Sequence, residues 1–408
     1  MDLLAEPKLK RPFRRRVFLI PGGEAVPPAF YRELYLRQGA AQADLAEMAL
    51  ALRPGRGPAS WRISGAMEAG FCETEVELLP WADLVPGAAG QAIGPGLAGR
   101  IRTLWIYLAT GALLRLFKLR PVAVLALLVP PAVLSGLAVL ALAAGLLLAQ
   151  ALAALIWPPA GWLAGLVLAG VLLLRVRFPP LPLADLGLLV RQRGALPPAL
   201  AERMGRFRAV LSEALRSECD ELLVVGHSTG AVLAVSLMAD LLRGGLPAHR
   251  PALALLTLGQ RVPLLSFLPE ARRFRRDLNA LAAAAELTWI DVSAPEDPLC
   301  FALCDPVSVS GVAPEGQLWP LVISAALSET LSPARRRRLQ GRPGLRHLQY
   351  LCAYDRPGDY DVFRVTAGPK PLAERFRGRA PSRGRIDRAS SGHVTMGAPR
   401  AEAQRPVR

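Results

Sequence analysis

From Pro121 to Leu174 the chain runs for 54 residues without one charged side chain. No other feature limits so strongly what this polypeptide can become. A bilayer core of about 30 Å is crossed by about 20 helical residues at 1.5 Å of rise each. The run is too long for one crossing and suits two, with a turn between them. Prolines and paired tryptophans place that turn at Trp157-Pro158-Pro159-Ala160-Gly161-Trp162, since proline breaks the helix and tryptophan favours the headgroup level. The expected spans run from about Leu134 to Trp157 and from about Ala160 to Leu174, reaching toward Phe178. The second is short, so a turn near Gln150 is the alternative, and a buried pair of core helices is the competing reading.

The flanks of the run are basic: Arg115, Lys118 and Arg120 precede it, and Arg175 and Arg177 follow. The positive-inside tendency then places both ends in the cytoplasm, which implies a multi-pass inner-membrane protein with its folded part on the cytoplasmic side. An even number of crossings returns the two flanking halves to one side. The stretch from Ile101 to Leu119, with Trp105, Tyr107, Arg115 and Lys118, is read as an interfacial helix lying along the membrane. A formal charge of +16 points to nucleic acid or to anionic lipid. No nucleic-acid motif accompanies it, so an anionic membrane surface is the expected partner.

Arg14, Arg15 and Arg16 precede only four apolar residues, Val17–Ile20. A secretory signal needs about 7–15, so this is read as a strand entering the glycine loop Pro21-Gly22-Gly23-Glu24. The five cysteines, Cys72, Cys219, Cys300, Cys304 and Cys352, are odd in number and scattered, as reduced cytoplasmic thiols would be. Cys300 and Cys304 lack a second ligand pair, so no metal site is expected there.

Outside the apolar run, strand and helix patterns alternate. Strands are expected at Arg16–Ile20, Trp61–Ser64, Phe71–Leu79, Glu221–Val225, Ala252–Leu258, Leu287–Val292 and Asp361–Thr366. Helices are expected at Pro28–Arg53, Pro198–Glu218, Thr229–Arg243 and Glu270–Ala285. Such alternation argues for an α/β fold with a mainly parallel sheet and helices on both faces. The expected organisation is a body of residues 14–100 and 179–368, an interfacial helix at 101–120, a transmembrane hairpin at 121–178 and a basic disordered tail at 369–408.

The chemistry centres on Gly226-His227-Ser228-Thr229-Gly230. An apolar strand ends at the first glycine and a helical run follows the last, the context of a strand–turn–helix nucleophile elbow. A serine of ordinary pKa needs a base, and the base an orienting carboxylate. Of four histidines, His227 lies inside the elbow, His249 lies too close after it, and His393 falls in the tail. His347 is therefore the expected base, with His393 next. Asp297, just past the strand ending at Val292, is the expected acid, with Asp291 and Asp305 as rivals. The amides of Thr229 and Gly23, with Gly22 next, are the expected oxyanion donors.

On Val17–Gly23, Pro80-Trp81-Ala82-Asp83, Gly226–Gly230, Trp289–Pro298 and His347–Tyr350, the chain resembles the α/β-hydrolase superfamily, specifically a bacterial membrane-associated lipase- or esterase-like branch. The likeness covers roughly 14–100 and 180–368. It implies Ser228, Asp297 and His347 as a triad, an acyl-enzyme intermediate, no cofactor and an acyl-ester or lipid substrate. The early loop reads Pro-Gly-Gly where that superfamily often has His-Gly, a departure that bears on the oxyanion donors. The rival reading is a catalytically silent hydrolase fold kept as a membrane scaffold or binding protein.

Overall fold

The computed structural model describes residues 11–23, 26–57, 59–85, 97–155, 157–175 and 184–397. Glu24, Arg177, the reach of the second span toward Phe178 and the last residues of the tail, 398–408, lie outside them. The chain forms two compact units: residues 121–183, and a body built from the sequence on either side of that segment.

The body is α/β, organised on an eight-stranded mixed sheet in the order β2-β3-β4-β1-β5-β6-β7-β8. The strands are β1 Phe13–Ile20, β2 Ala49–Pro54, β3 Ser60–Met67, β4 Gly70–Leu78, β5 Glu221–His227, β6 Ala252–Leu258, β7 Leu287–Ser293 and β8 Leu321–Ser324. β3 runs antiparallel to both its neighbours, and every other pairing is parallel. Side chains of a strand alternate between faces, and in the latter half of β1 and in β5, β6 and β7 both faces are buried. Val17, Leu19, Leu223, Val225 and Leu256 pack with Tyr31, Leu34 and Tyr35 of the Pro28–Ala46 helix and with Phe363. Phe18, Ile20, Leu222, Val224 and Leu255 are fully buried on the opposite face, where the Gly230–Arg243 helix lies against β1, β5 and β6. Burial of each such large apolar side chain contributes about 1.5–3 kcal/mol.

The central pairing, β1 with β5, joins chain from before the apolar run to chain from after it. Arg15 and Glu221 mark that seam with a buried ion pair at 2.5 Å. Arg15 also donates to the carbonyls of Gly368 and Lys370, and Glu221 accepts from the Leu372 amide, so neither charge is left uncompensated.

Several expectations are corrected. The helix beginning at Pro28 ends at Ala46, where Glu47 turns left-handed at φ 48°, and Ala49–Pro54 becomes the edge strand β2. Asp361–Thr366 is not a strand. Asp361 caps a helix, Val362–Ala367, by accepting from the Phe363 and Arg364 amides at 2.8 and 3.3 Å. The segment expected to be a single interfacial helix is two helices, Leu97–Ala109 and Ala112–Leu119, separated at Gly111 with φ 68°. The tail is ordered over residues 369–397. Ile386 exchanges backbone hydrogen bonds with Leu303 and Asp305, and Arg275 donates to the Thr395 carbonyl at 2.9 Å. Backbone partners and buried guanidinium groups hold this stretch where apolar side chains are few.

In the second unit, Pro121–Leu155 and Pro158–Arg175 are helices of 35 and 18 residues, with the break at Trp157. Small residues let them approach closely. A Cβ on Gly145 would lie 2.7 Å from the Ala169 Cβ, and one on Gly165 2.6 Å from the Ala149 Cβ. Gly136–Leu155 is long and apolar enough to cross a membrane, at 20 residues and a mean hydropathy of 2.3; Pro158–Leu172 is apolar but shorter. Leu140, Leu147, Leu163 and Leu166 are exposed.

Candidate active site

β5 delivers Ser228 to the carboxyl end of the sheet, at the tip of the turn into the Gly230–Arg243 helix. The turn closes so tightly that Ser228 is left-handed, with φ 61°, a conformation costing about 1–2 kcal/mol for a residue bearing a Cβ. Its flanking glycines have a steric reason. A Cβ on Gly226 would meet the Ala234 Cβ at 2.7 Å, and one on Gly230 would press into the Ile20 and Pro21 carbonyls. The loop after β1 therefore runs directly beside the elbow: a Cβ on Gly22 would be 3.3 Å from the Ser228 Cβ.

Asp297 and His347 meet on the same edge. The His347 Nδ1 lies 2.6 Å from Asp297 Oδ2 in a site where both side chains are buried. A carboxylate only accepts, so Nδ1 carries the hydrogen of this bond, and the ring's other nitrogen is Nε2. That Nε2 is buried and has no hydrogen-bond partner. Ser228 is thus not hydrogen-bonded to His347 in this structure, and its side chain is buried. Both nevertheless border the Leu258–Gly259 turn: the Ser228 amide donates to the Leu258 carbonyl, and a Cβ on Gly259 would touch the His347 ring at 2.9 Å.

Asp297 is built to stay ionised. Burial alone would raise its pKa, but the charge and hydrogen bond of His347 and the Leu299 amide at 2.9 Å hold the carboxyl well below the usual range. Tyr350 donates to the same Oδ2 at 3.0 Å while accepting from the Ala294 amide at 3.0 Å. Burial, then the nearby carboxylate, pushes its phenol far up, so it remains a donor. Sequence reasoning gave Tyr350 no role. The signal available was its spacing, three residues after His347, which puts both on one side of a helical turn.

The other candidates stand apart. Burial lowers the pKa of His227 to about 3, so it is neutral and its Nε2–H donates to the His347 carbonyl at 3.0 Å. His249 is exposed in a loop, and His393 lies in the C-terminal stretch, its amide bonded to Ser391 Oγ. Asp291 accepts from Thr257 Oγ1 at 2.6 Å, and Asp305 caps the amides of Val307 and Ser308. The Gly23 amide donates to Thr229 Oγ1 at 3.2 Å, so the two expected oxyanion donors adjoin, with one engaged by the other's side chain. A cleft of about 370 Å³ is lined by His347 together with Val26, Phe30, His227, Arg342 and Leu348 among others. Among the described residues, no three His, Cys, Asp or Glu side chains converge as metal ligands would.

Compared with family models, with curated proteins and with solved structures, the chain matches none.

Proposed function

We propose that this chain is a membrane-anchored serine hydrolase of the α/β-hydrolase type, cleaving a lipid-derived acyl ester. The observation carrying the reading is the buried Asp297–His347 pair, with its unpartnered Nε2, on the edge where Ser228 is held left-handed at a strand–helix turn. His347 takes the Ser228 proton as Oγ attacks the ester carbonyl, and Asp297 stabilises the imidazolium. The Thr229 amide and an amide of the Gly22-Gly23 loop hold the oxyanion, the latter freed when the Thr229 hydroxyl rotates away. The imidazolium protonates the departing alcohol, and water then releases the acyl group.

The membrane part of the reading rests on the apolar helix pair and on the body's own surface. In the Leu97–Ala109 helix, Thr103, Ile106 and Tyr107 are buried, and Tyr107 donates to the Leu264 carbonyl at 2.7 Å. Ile101, Leu104, Trp105 and Leu108 form an exposed stripe at helical spacing, suited to lying in a lipid interface. Resistance to alkaline carbonate extraction is expected of the membrane-bound chain; full release into the wash would reject the anchor.

A fluorophosphonate probe is expected to label the wild type and leave Ser228→Ala unlabelled. A second reading, a silent scaffold, is favoured by the buried serine and its missing bond to His347. A folded wild type that resists the probe in both detergent and lipid would establish it.

A further inference from the structure

The site described above leaves one feature unused, a cluster of arginines beside the cleft. The helix Pro333–Leu339 carries Arg335, Arg336, Arg337 and Arg338, and Arg342 and Arg346 follow before His347. Two are committed. Arg335 pairs with Asp355 at 3.0 Å, and Arg346 donates to the carbonyls of Glu296 and Leu339. The other four are exposed and, among the described residues, pair with no carboxylate. Of the two acidic groups these committed arginines touch, Asp355 is held by Arg335 and the Ser332 amide, and Glu296 accepts from the Ser328 amide through Oε1 while its Oε2 is buried without a partner. A helix C-terminus favours a cation or two, but it does not account for four.

Their placement supplies the rest. Arg342 lines the cleft that contains His227 and His347, whose other walls, Val26, Phe30, Leu345 and Leu348, are apolar. Arg336, Arg337 and Arg346 line a second recess of about 420 Å³ along the same 333–346 segment. An apolar cleft lined by the candidate base and by Arg342, with Arg336 and Arg337 exposed a few residues earlier on the same segment, is complementary to an amphiphile that has an acyl chain at one end and an anionic group at the other. Guanidinium binds phosphate through paired, charge-assisted hydrogen bonds, so phosphate is the anion this rim fits best.

The geometry points to a phosphate-bearing acyl ester as the substrate class, its phosphate held by Arg336, Arg337 and Arg342 while the acyl chain enters the cleft. The inference rests on the hydrolase reading, and it commits to phosphate carried on a lipid, not to free phosphate.

The test compares the full chain in detergent with Arg336→Gln/Arg337→Gln/Arg342→Gln and with the corresponding triple Lys variant. The kinetic substrates are dihexanoyl phosphatidic acid and p-nitrophenyl butyrate. The Gln variant should raise KM for the phosphate ester at least about tenfold, keep kcat within about twofold and raise KM for the neutral ester by far less. The Lys variant should recover part of the loss, and added salt should erode the wild-type preference. Equal effects on both esters, or none on either, would overturn the inference. Binding of dihexanoyl phosphatidic acid to Ser228→Ala, measured calorimetrically, separates this inference from the one beneath it. If wild type cleaves neither ester, the hydrolase reading fails, and Arg-dependent binding still decides whether the rim recognises phosphate. Inorganic phosphate binding as tightly as the lipid would assign a free-phosphate site and overturn the lipid source.

Discussion

His347 gives its Nδ1 edge to Asp297 at 2.6 Å and keeps its Nε2 edge buried and unbonded. A carboxylate at Nδ1 fixes the tautomer that leaves Nε2 able to accept a proton. Asp297→Asn keeps the shape but lets the amide NH₂ favour the opposite tautomer. The expected result is a fall in kcat of roughly 10⁴-fold with the fold retained, measured by ester turnover beside circular dichroism.

Tyr350→Phe removes one donor from Asp297 and one acceptor from the Ala294 amide. The orphaned amide is expected to cost about 1–3 kcal/mol in denaturant melts. A second signature separates positioning from packing. Asp297 has a lowered pKa, so its contribution to stability is present above the unfolded carboxylate value, about 4, and is lost as pH falls through the folded one. Losing a donor to the charged form raises that folded value. Acid unfolding should therefore begin at a higher pH in the variant, and an unchanged acid midpoint would count against the Tyr350 contact.

Gly259 is left-handed at φ 53° and lies under both aromatic partners. An added Cβ would meet Tyr350 Cε2 at 2.6 Å and His347 Cε1 at 2.9 Å. Gly259→Ala should cost about 2–4 kcal/mol and most of the activity, because the base ring must move. Gly245→Ala provides the control. It shares a positive φ, 83°, but a Cβ there meets nothing within 4 Å, so only backbone strain is added and turnover should persist.

Asp291, fully buried on β7, has its pKa raised by burial to about 8 despite the Thr257 hydrogen bond. The folded state then holds a proton that the unfolded chain releases near pH 4, so stability falls as pH rises from about 4 to about 8. Asp291→Asn preserves an acceptor for Thr257 and has no proton to lose. It should match wild type near pH 4 and exceed it by a few kcal/mol near pH 8, as read from urea midpoints across that range. A variant equally affected at both ends would show that the carboxyl is not protonated in the fold.

What could be read from the residues depended on whether the signal was local. Ala252–Leu258 is apolar except for Thr257, lies between breakers and folds as that strand. β2 was hidden because Ala-Leu-Ala-Leu favours helix locally, and only pairing with Ser60–Met67 makes it extended. β8 has four residues on the far edge, too few for a pattern. Val-Phe-Arg-Val read as a strand through its β-branched residues, although Asp361 ahead of it was a cap in plain view. In the site, chain order indicated Asp297 and His347, whereas Tyr350 and the unpaired arginines required three-dimensional neighbours to acquire meaning.

The seam between β1 and β5 also orders events in time. Arg15 and Glu221 are 206 residues apart, so β1 emerges from a ribosome about 10–40 s before its partner at synthesis rates of 5–20 residues per second. During that interval one edge of β1 offers unpaired amides and carbonyls, and Arg15 has no counter-ion. The entire uncharged stretch is made in the same interval. Whatever receives those two apolar helices must do so while the N-terminal strands wait, half a sheet long, for the serine-bearing half to arrive.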